Sequence, residues 1–126
     1  MVDKSGHRRD RDWLGRYGEN VATAYLRSQS VTILRRNFRA HRGGEVDIIA
    51  RSGRLLLFIE VKTRQHDSPI RPLDAVDKPK QRLIERGANA WLRKLRTRDI
   101  PWRFDVIEVL VQNGHKPEVR WIQNAF

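Results

Sequence analysis

The chain has 126 residues, 26 Lys and Arg against 15 Asp and Glu, no cysteine, and a formal net charge of +11. That length builds one compact domain, and the missing thiols exclude disulfides, thiol nucleophiles, iron–sulfur clusters and cysteine-based zinc sites. No apolar run is long enough for a membrane span, and the first residues lack the apolar core of a secretory signal, so a cytoplasmic protein with no membrane partner is expected.

The positive charge is concentrated. Residues 1–50 carry 10 cations and 6 acids, residues 51–100 carry 13 and 6, and residues 101–126 carry 3 of each. Twenty of the cations are arginine, whose planar fork binds phosphate bidentately. Such a footprint points to nucleic acid, and a solvated face on a basic protein is the alternative.

In chain order, residues 1–12 hold almost nothing apolar and read as a flexible tail, leaving residues 13–126 as the folded α/β domain. Asp12 can cap a helix from Trp13 to Gln29, with Leu14, Gly18, Val21 and Tyr25 on one face. Ser30 to Arg39 is β-prone and ends at the turn signal His41-Arg42-Gly43-Gly44. Glu45–Ala50 and Leu55–Thr63 then form a hairpin about the intervening Gly53. Pro69 and Pro72 make residues 65–76 a loop. A second helix runs from Asp77 to Arg96, with Pro79 tolerated in its first turn and Ile84, Ala88, Trp91, Leu92 and Leu95 as its apolar stripe. Ile100–Gln112 and Glu118–Ile122 close the chain as strands. The order is α-β-β-β-α-β-β.

Acids inside apolar strands need a reason, because an unpaired buried carboxylate is expensive. Period two sets Glu45, Asp47 and Ile49 on one face of their strand, and Leu56, Phe58, Glu60 and Lys62 on one face of the next. A two-residue loop at Ser52-Gly53, or a four-residue loop over Arg51–Arg54, makes Asp47 face Phe58 and Glu45 face Glu60. Asp47, Glu60 and Lys62 then share a face, with the two carboxylates diagonal neighbours roughly 7–8 Å apart at Cα. A three-residue loop would split the set. Two carboxylates and a lysine together suit metal-assisted phosphodiester hydrolysis: oxygen ligands for Mg²⁺, an activated water, and a cation for the charge developing on phosphorus. A structural salt bridge of Lys62 with Glu60 or Asp47 is the alternative. Glu19 shares a helix stripe with Ala22 and Leu26, at the border of the buried face, where it can approach a metal or its waters from the side; taken alone, it reads as an exposed helix acid. Arg103 and Asp105 share parity in their strand and read as a structural ion pair. The four histidines are scattered without metal-ligand spacing.

Several of these segments recur together. Gly18-Glu19-Asn20-Val21-Ala22, Asn37-Phe38-Arg39, Gly44-Glu45-Val46-Asp47-Ile48-Ile49, Phe58-Ile59-Glu60-Val61-Lys62-Thr63-Arg64, Ala75-Val76 with Lys80-Gln81-Arg82-Leu83, and Arg103-Phe104-Asp105-Val106, in that order, resemble the bacterial YraN family across nearly the whole chain. The family is placed in the PD-(D/E)XK, or restriction-endonuclease-like, nuclease superfamily, which includes the archaeal Holliday-junction resolvases. The resemblance implies a single α/β domain with a mixed central sheet flanked by helices, and a Mg²⁺- or Mn²⁺-dependent endonuclease acting on DNA, with branched or flapped DNA among the candidate substrates. A homodimer with two active sites would suit such substrates. Asp47 and Glu60 match the metal-binding acids, Lys62 the lysine of the E-x-K, Glu19 the first-helix acid and a further metal ligand, and Gln81 an accessory polar residue. Arg42, Arg64, Lys78, Lys80 and Arg82, with Gln81, are the expected nucleic-acid contacts. Some superfamily members have lost catalysis, so a non-catalytic nucleic-acid-binding or adaptor protein on the same scaffold is the rival reading. Near Pro69-Ile70, where the family pattern has an aromatic–glycine pair, this chain departs from it.

Overall fold

The computed structural model describes residues 11–65 and 76–126. Residues 66–75 of the expected 65–76 loop, with Pro69-Ile70, and residues 1–10 of the expected N-terminal tail lie outside the described residues, whereas Gln65 belongs to a strand and Val76 is buried. Helix α1 spans Arg11–Ser28, strands β1, β2 and β3 span Thr32–Arg39, Glu45–Ser52 and Leu55–Gln65, helix α2 spans Lys78–Leu95, and strands β4 and β5 span Trp102–Val111 and Glu118–Ile122. The five strands form one mixed sheet in the order β1-β2-β3-β4-β5. Only β3 and β4 are parallel, and α2 lies in the connection that such a pair requires.

Each helix covers one face. On the α1 side, Ala22 and Leu26 pack with Ile48, Ala50, Leu57, Ile59, Ile107 and Val109. On the α2 side, Ile84, Ala88 and Leu92 pack with Phe38, Ile49, Leu56, Phe58 and Val106. Alternate residues of β2 to β4 thus feed opposite cores, as strands buried on both faces must. The result is the α/β architecture that the resemblance implies, consistent with a restriction-endonuclease-like fold.

Local details differ from the sequence expectations for physical reasons. Asp12 lies within the first turn of α1 and does not cap it, a position where its charge complements the helix dipole. The α1 helix ends in a Schellman motif: Ser30 takes φ 63°, its N–H reaches Arg27 O, and Val31 N–H reaches Leu26 O at 3.0 Å. Ser30 is therefore the helix stop and not the start of a strand, and the buried pair Leu26 and Val31 supplies the apolar contact that accompanies the motif. In α2, Asp77 is the N-cap, its side chain accepting from Lys80 N. Leu95, expected in the apolar stripe, is 42% exposed, because the left-handed Arg96 ends the helix directly after it.

Glycines set how closely α2 approaches the sheet. A Cβ on Gly44 would stand 2.3 Å from Gly87 N, and a Cβ on Gly87 would stand 2.8 Å from Val46 Cγ2. The start of β2 and the middle of α2 therefore meet backbone to backbone. The helix penalty of about 1 kcal/mol for glycine over alanine is offset by that close approach.

Candidate active site

The hairpin turn comes first, because it fixes which acids meet. The ladder pairs Ser52 with Leu55, Ile49 with Phe58 and Ile48 with Ile59. The turn is therefore the two residues Gly53-Arg54, one position later than expected, with Gly53 at φ 60° in the place glycine holds in a II′ turn. Parity is preserved, so the two carboxylates still share a site, but the register corrects the expected pairing. Carried one residue past its last pair, the observed register sets Asp47 toward Glu60, where Phe58 was expected.

The ladder stops at Ile48 and Ile59, while β3 continues to Gln65 in pairing with β4. Beyond that point β2 and β3 fork. Asp47 Oδ2 accepts a hydrogen bond from Val61 N at 2.9 Å, in the place of a main-chain carbonyl. The alternation of β2 also breaks here: Val46 joins the α2-side core and Ile48 the α1-side core. Across β1, the pairs Arg36 with Ile48 and Phe38 with Val46 set Asn37, at φ 52°, opposite Asp47.

Three carboxylates converge on the fork. Glu60, from β3, is 2% exposed, and its Oε2 has no hydrogen-bond partner. Burial, and then the neighbouring Asp47 carboxyl within hydrogen-bonding reach, push the Glu60 pKa up to about 8. Glu19 approaches from α1 because Gly18 lets that helix close onto β3, where an added Cβ would overlap Thr63 Oγ1. It is half-buried rather than an exposed helix acid, and its pKa is raised by burial and then by Asp47. Arg36 Nη2 stands 3.8 Å from Glu19 Oε1, an oxygen that forms no hydrogen bond.

Two lysines face the acids. Lys62 Nζ lies 3.6 Å from Glu60 Oε2. Lys80, from the first turn of α2, lies 3.3 Å from the same oxygen and hydrogen-bonds Glu45. That bond holds the Glu45 pKa below the usual carboxylate range. Burial depresses Lys80, but the bond to Glu45 and the nearby Glu60 charge outweigh it and leave its pKa raised. Lys80 is thus drawn into the acidic cluster and is not an outward phosphate contact. Neither Lys80 nor Glu45 was singled out for this role, because nothing local to α2 signals that its first turn lands on β2 and β3.

The other expected nucleic-acid contacts separate. Arg64 donates to Glu108 from Nε at 2.8 Å, and Glu108 is 1% exposed, so this arginine is committed to a structural ion pair. Gln81 Nε2 donates to Val76 O at 3.1 Å and fastens the entry to α2. Arg42, Lys78 and Arg82 are exposed. The expected Arg103–Asp105 pair is present, bidentate at 2.8 and 2.9 Å, and Asp105 also accepts from Trp121 Nε1 and Asn124 N, each at 2.8 Å.

As they stand, no three His, Cys, Asp or Glu side chains among the described residues are disposed to hold a metal together. The expected triple set of Asp47, Glu60 and Glu19 is therefore not assembled. Mg²⁺ needs only one or two carboxylates, since waters and substrate phosphates complete its shell. The Asp47–Glu60 pair fits that requirement: both are hard oxygen donors, and Glu60 Oε2 is buried without a hydrogen bond. No helix among the described residues is long and apolar enough to cross a membrane.

Comparison with known proteins agrees with the blocks. The family model described as "Uncharacterised protein family UPF0102" matches residues 18–109, from Gly18, where α1 closes on β3, to Val109 in β4. A UPF0102 protein of Geotalea uraniireducens is 42% identical over 123 residues, covering 98% of this chain and 96% of its own. One of Trichlorobacter lovleyi is 46% identical over 114 residues, with 90% and 89% covered. Another, of Rhodococcus opacus, is 40% identical over 113 residues, with 90% and 95% covered. The fork, the helix contacts that close it and the ion pair that ties down the C-terminus thus lie within a matched stretch, and the chain belongs to the UPF0102 family.

Proposed function

We propose that this protein is a metal-dependent endonuclease that hydrolyses DNA phosphodiester bonds at the β2–β3 fork. The observation that carries the reading is the pair Asp47 and Glu60 at the fork, with a buried Glu60 oxygen that accepts no hydrogen bond and two ammonium groups beside it. Asp47 and Glu60 would hold Mg²⁺ or Mn²⁺, which supplies a more acidic bound water and neutralises charge on the phosphoryl group. Asp47 is oriented by Val61 N–H. Burial and the adjacent Asp47 carboxyl raise the Glu60 pKa, so a metal held there would compete with a proton. Lys62 is near enough to steady the attacking water or the developing oxyanion. Glu19, whose pKa burial and then Asp47 raise, would complete the acidic pocket from α1.

A second reading has its own observation. Lys80 already supplies the acids with a cation, as a scaffold that binds nucleic acid without cutting it, or acts as an adaptor, would need. The test is a cleavage assay on single strand, duplex, flap and four-way junction with Mg²⁺, Mn²⁺ or EDTA, with Lys62→Ala and Asp47→Asn purified in parallel. Metal-dependent scission lost in both variants is the expected result. Retained binding with no scission by the wild type would transfer the assignment to the non-catalytic reading.

A further inference from the structure

Along the flank of α2, away from the carboxylates, runs a furrow between that helix and the β1–β2 turn. Two adjoining clefts of about 430 and 650 Å³ compose it, and a third continues it around the helix C-terminus. No acidic side chain lines any of the three. The cations that do are Arg39, Arg42, Arg86, Arg93, Lys94 and Arg96, with Arg98 at the far end.

These cations are not equivalent. Arg39 is held by Glu45 at 3.0 Å, Arg98 donates to Asn89, and Lys94 lies over the rings of Phe38 and Trp91. Arg42, Arg86, Arg93 and Arg96 are exposed and form no ion pair among the described residues. Four arginines clustered in a concavity repel one another and have no internal counter-charge, which is the condition of a surface that takes up an anion. The furrow is also fixed in place, because the Gly44–Gly87 contact locks its two walls together.

Its shape selects among polyanions. The clefts are open to solvent, and each has about the volume that one or two nucleotides side by side would occupy. The exposed arginines Arg86, Arg93 and Arg96 follow one another along α2 and form a single row beside the clefts, the arrangement one strand's phosphates would meet. Phe38 is buried and packs edge-on against Trp91, so the exposed His41 is the one lining residue whose ring a base could meet. With four free arginines against that single ring, contact is mainly with phosphate, which carries no sequence information. Direction is given by α2: at about 1.5 Å per residue, Arg86 stands ~9 Å and Arg93 ~20 Å along the axis from Lys80, which touches Glu60.

We propose that this furrow seats the phosphodiester backbone of a single nucleic-acid strand that runs on from the β2–β3 fork. The link to the fork rests on the hydrolytic reading above, whereas the strand-binding furrow stands on its own charge and shape. The substrate class that follows carries a single-stranded arm, as an overhang or a flap does.

The test is fluorescence anisotropy in EDTA, so that no cleavage occurs. It compares wild type, Arg86→Ala/Arg93→Ala, and a control, Arg27→Ala/Arg54→Ala, that removes two exposed arginines elsewhere. Probes are one labelled sequence as single-stranded DNA, as single-stranded RNA and as blunt duplex, each titrated across a range of salt. The furrow variant should lose tenfold or more in affinity for a single strand. Its salt slope should fall by about 1.4, at roughly 0.7 per phosphate contact on single strands, and its duplex affinity should move no further than the control's. Loss on either the deoxy or the ribo strand supports the furrow, and the larger loss names the sugar. A furrow variant that matches the control on single strands, or loses duplex binding equally, overturns the proposal. Furrow-dependent binding by a protein that cuts nothing would leave the furrow standing and remove the nuclease reading alone.

Discussion

Asp47 has two duties that substitution can separate. Its carboxylate receives the Val61 amide hydrogen and contributes charge to the fork. Asp47→Asn keeps an acceptor oxygen for Val61, so thermal unfolding should be nearly unchanged while scission is abolished; undiminished cleavage would remove Asp47 from the site. Asp47→Ala leaves the half-buried Val61 amide without its acceptor and should cost about 1 kcal/mol as well. Glu60 offers a pH test. Its ordinary pKa of 4.5 rises to about 8 in the folded chain, so the fold holds a proton that the unfolded chain releases. The stability this confers is complete below pH 4.5 and lost progressively as the pH climbs through 8. Between about pH 5 and 8.5 wild type should therefore lose more melting temperature than Glu60→Gln, and parallel curves would show that Glu60 ionises normally. Added Mn²⁺ should raise the wild-type melting temperature, an effect absent from Glu60→Gln.

Among elements, the contact of α2 with β2 decides a conflict between two simple rules. Helix propensity says that Gly87→Ala should stabilise by about 1 kcal/mol. Packing says the opposite, because the new methyl would lie 2.8 Å from Val46 Cγ2 and 3.1 Å from the Glu45 backbone, and backbone cannot move aside cheaply. Overpacking of this kind costs about 1–3 kcal/mol, so the net expectation is a lowered melting temperature; a raised one would mean that α2 rests on the sheet less tightly. The same contrast explains what the sequence made legible. The second helix with Pro79 in its first turn, the hairpin parity and the pairing of Arg103 with Asp105 are local patterns, readable from spacing. The α1 stop was not, because Ser30 rather than glycine takes the left-handed position. Neither was the turn position, since Ser52-Gly53 and Gly53-Arg54 both put a glycine in a two-residue loop. Capture of Lys80 by Glu45 and Glu60 depends on a crossing between elements far apart in sequence, which no spacing rule encodes.

At the scale of the whole molecule, a net charge of +11 predicts nucleic-acid binding that weakens steeply with salt, with a log–log slope near −0.9 per duplex phosphate contacted. Binding insensitive to salt would argue against a phosphate-directed surface. The far side of the sheet is secured differently, by Asp105, which is fully buried and gathers Arg103, Trp121 and the Asn124 amide. Asp105→Ala leaves the Arg103 guanidinium without its partner and should cost about 3–5 kcal/mol, measured by denaturant unfolding, with fraying of β5 before the rest.

The edge strand β1 carries one more consequence. An open strand edge is a template on which another chain can extend the sheet. Here Arg35, Arg36 and Arg39 line β1, its register with β2 slips between Ile33 and Arg35, and Asn37 bends the backbone at φ 52°. Two such edges brought together would set arginine against arginine along irregular backbones. Continuous sheets built from repeated copies are thus disfavoured, which makes this border a deterrent to fibrils in a highly cationic chain.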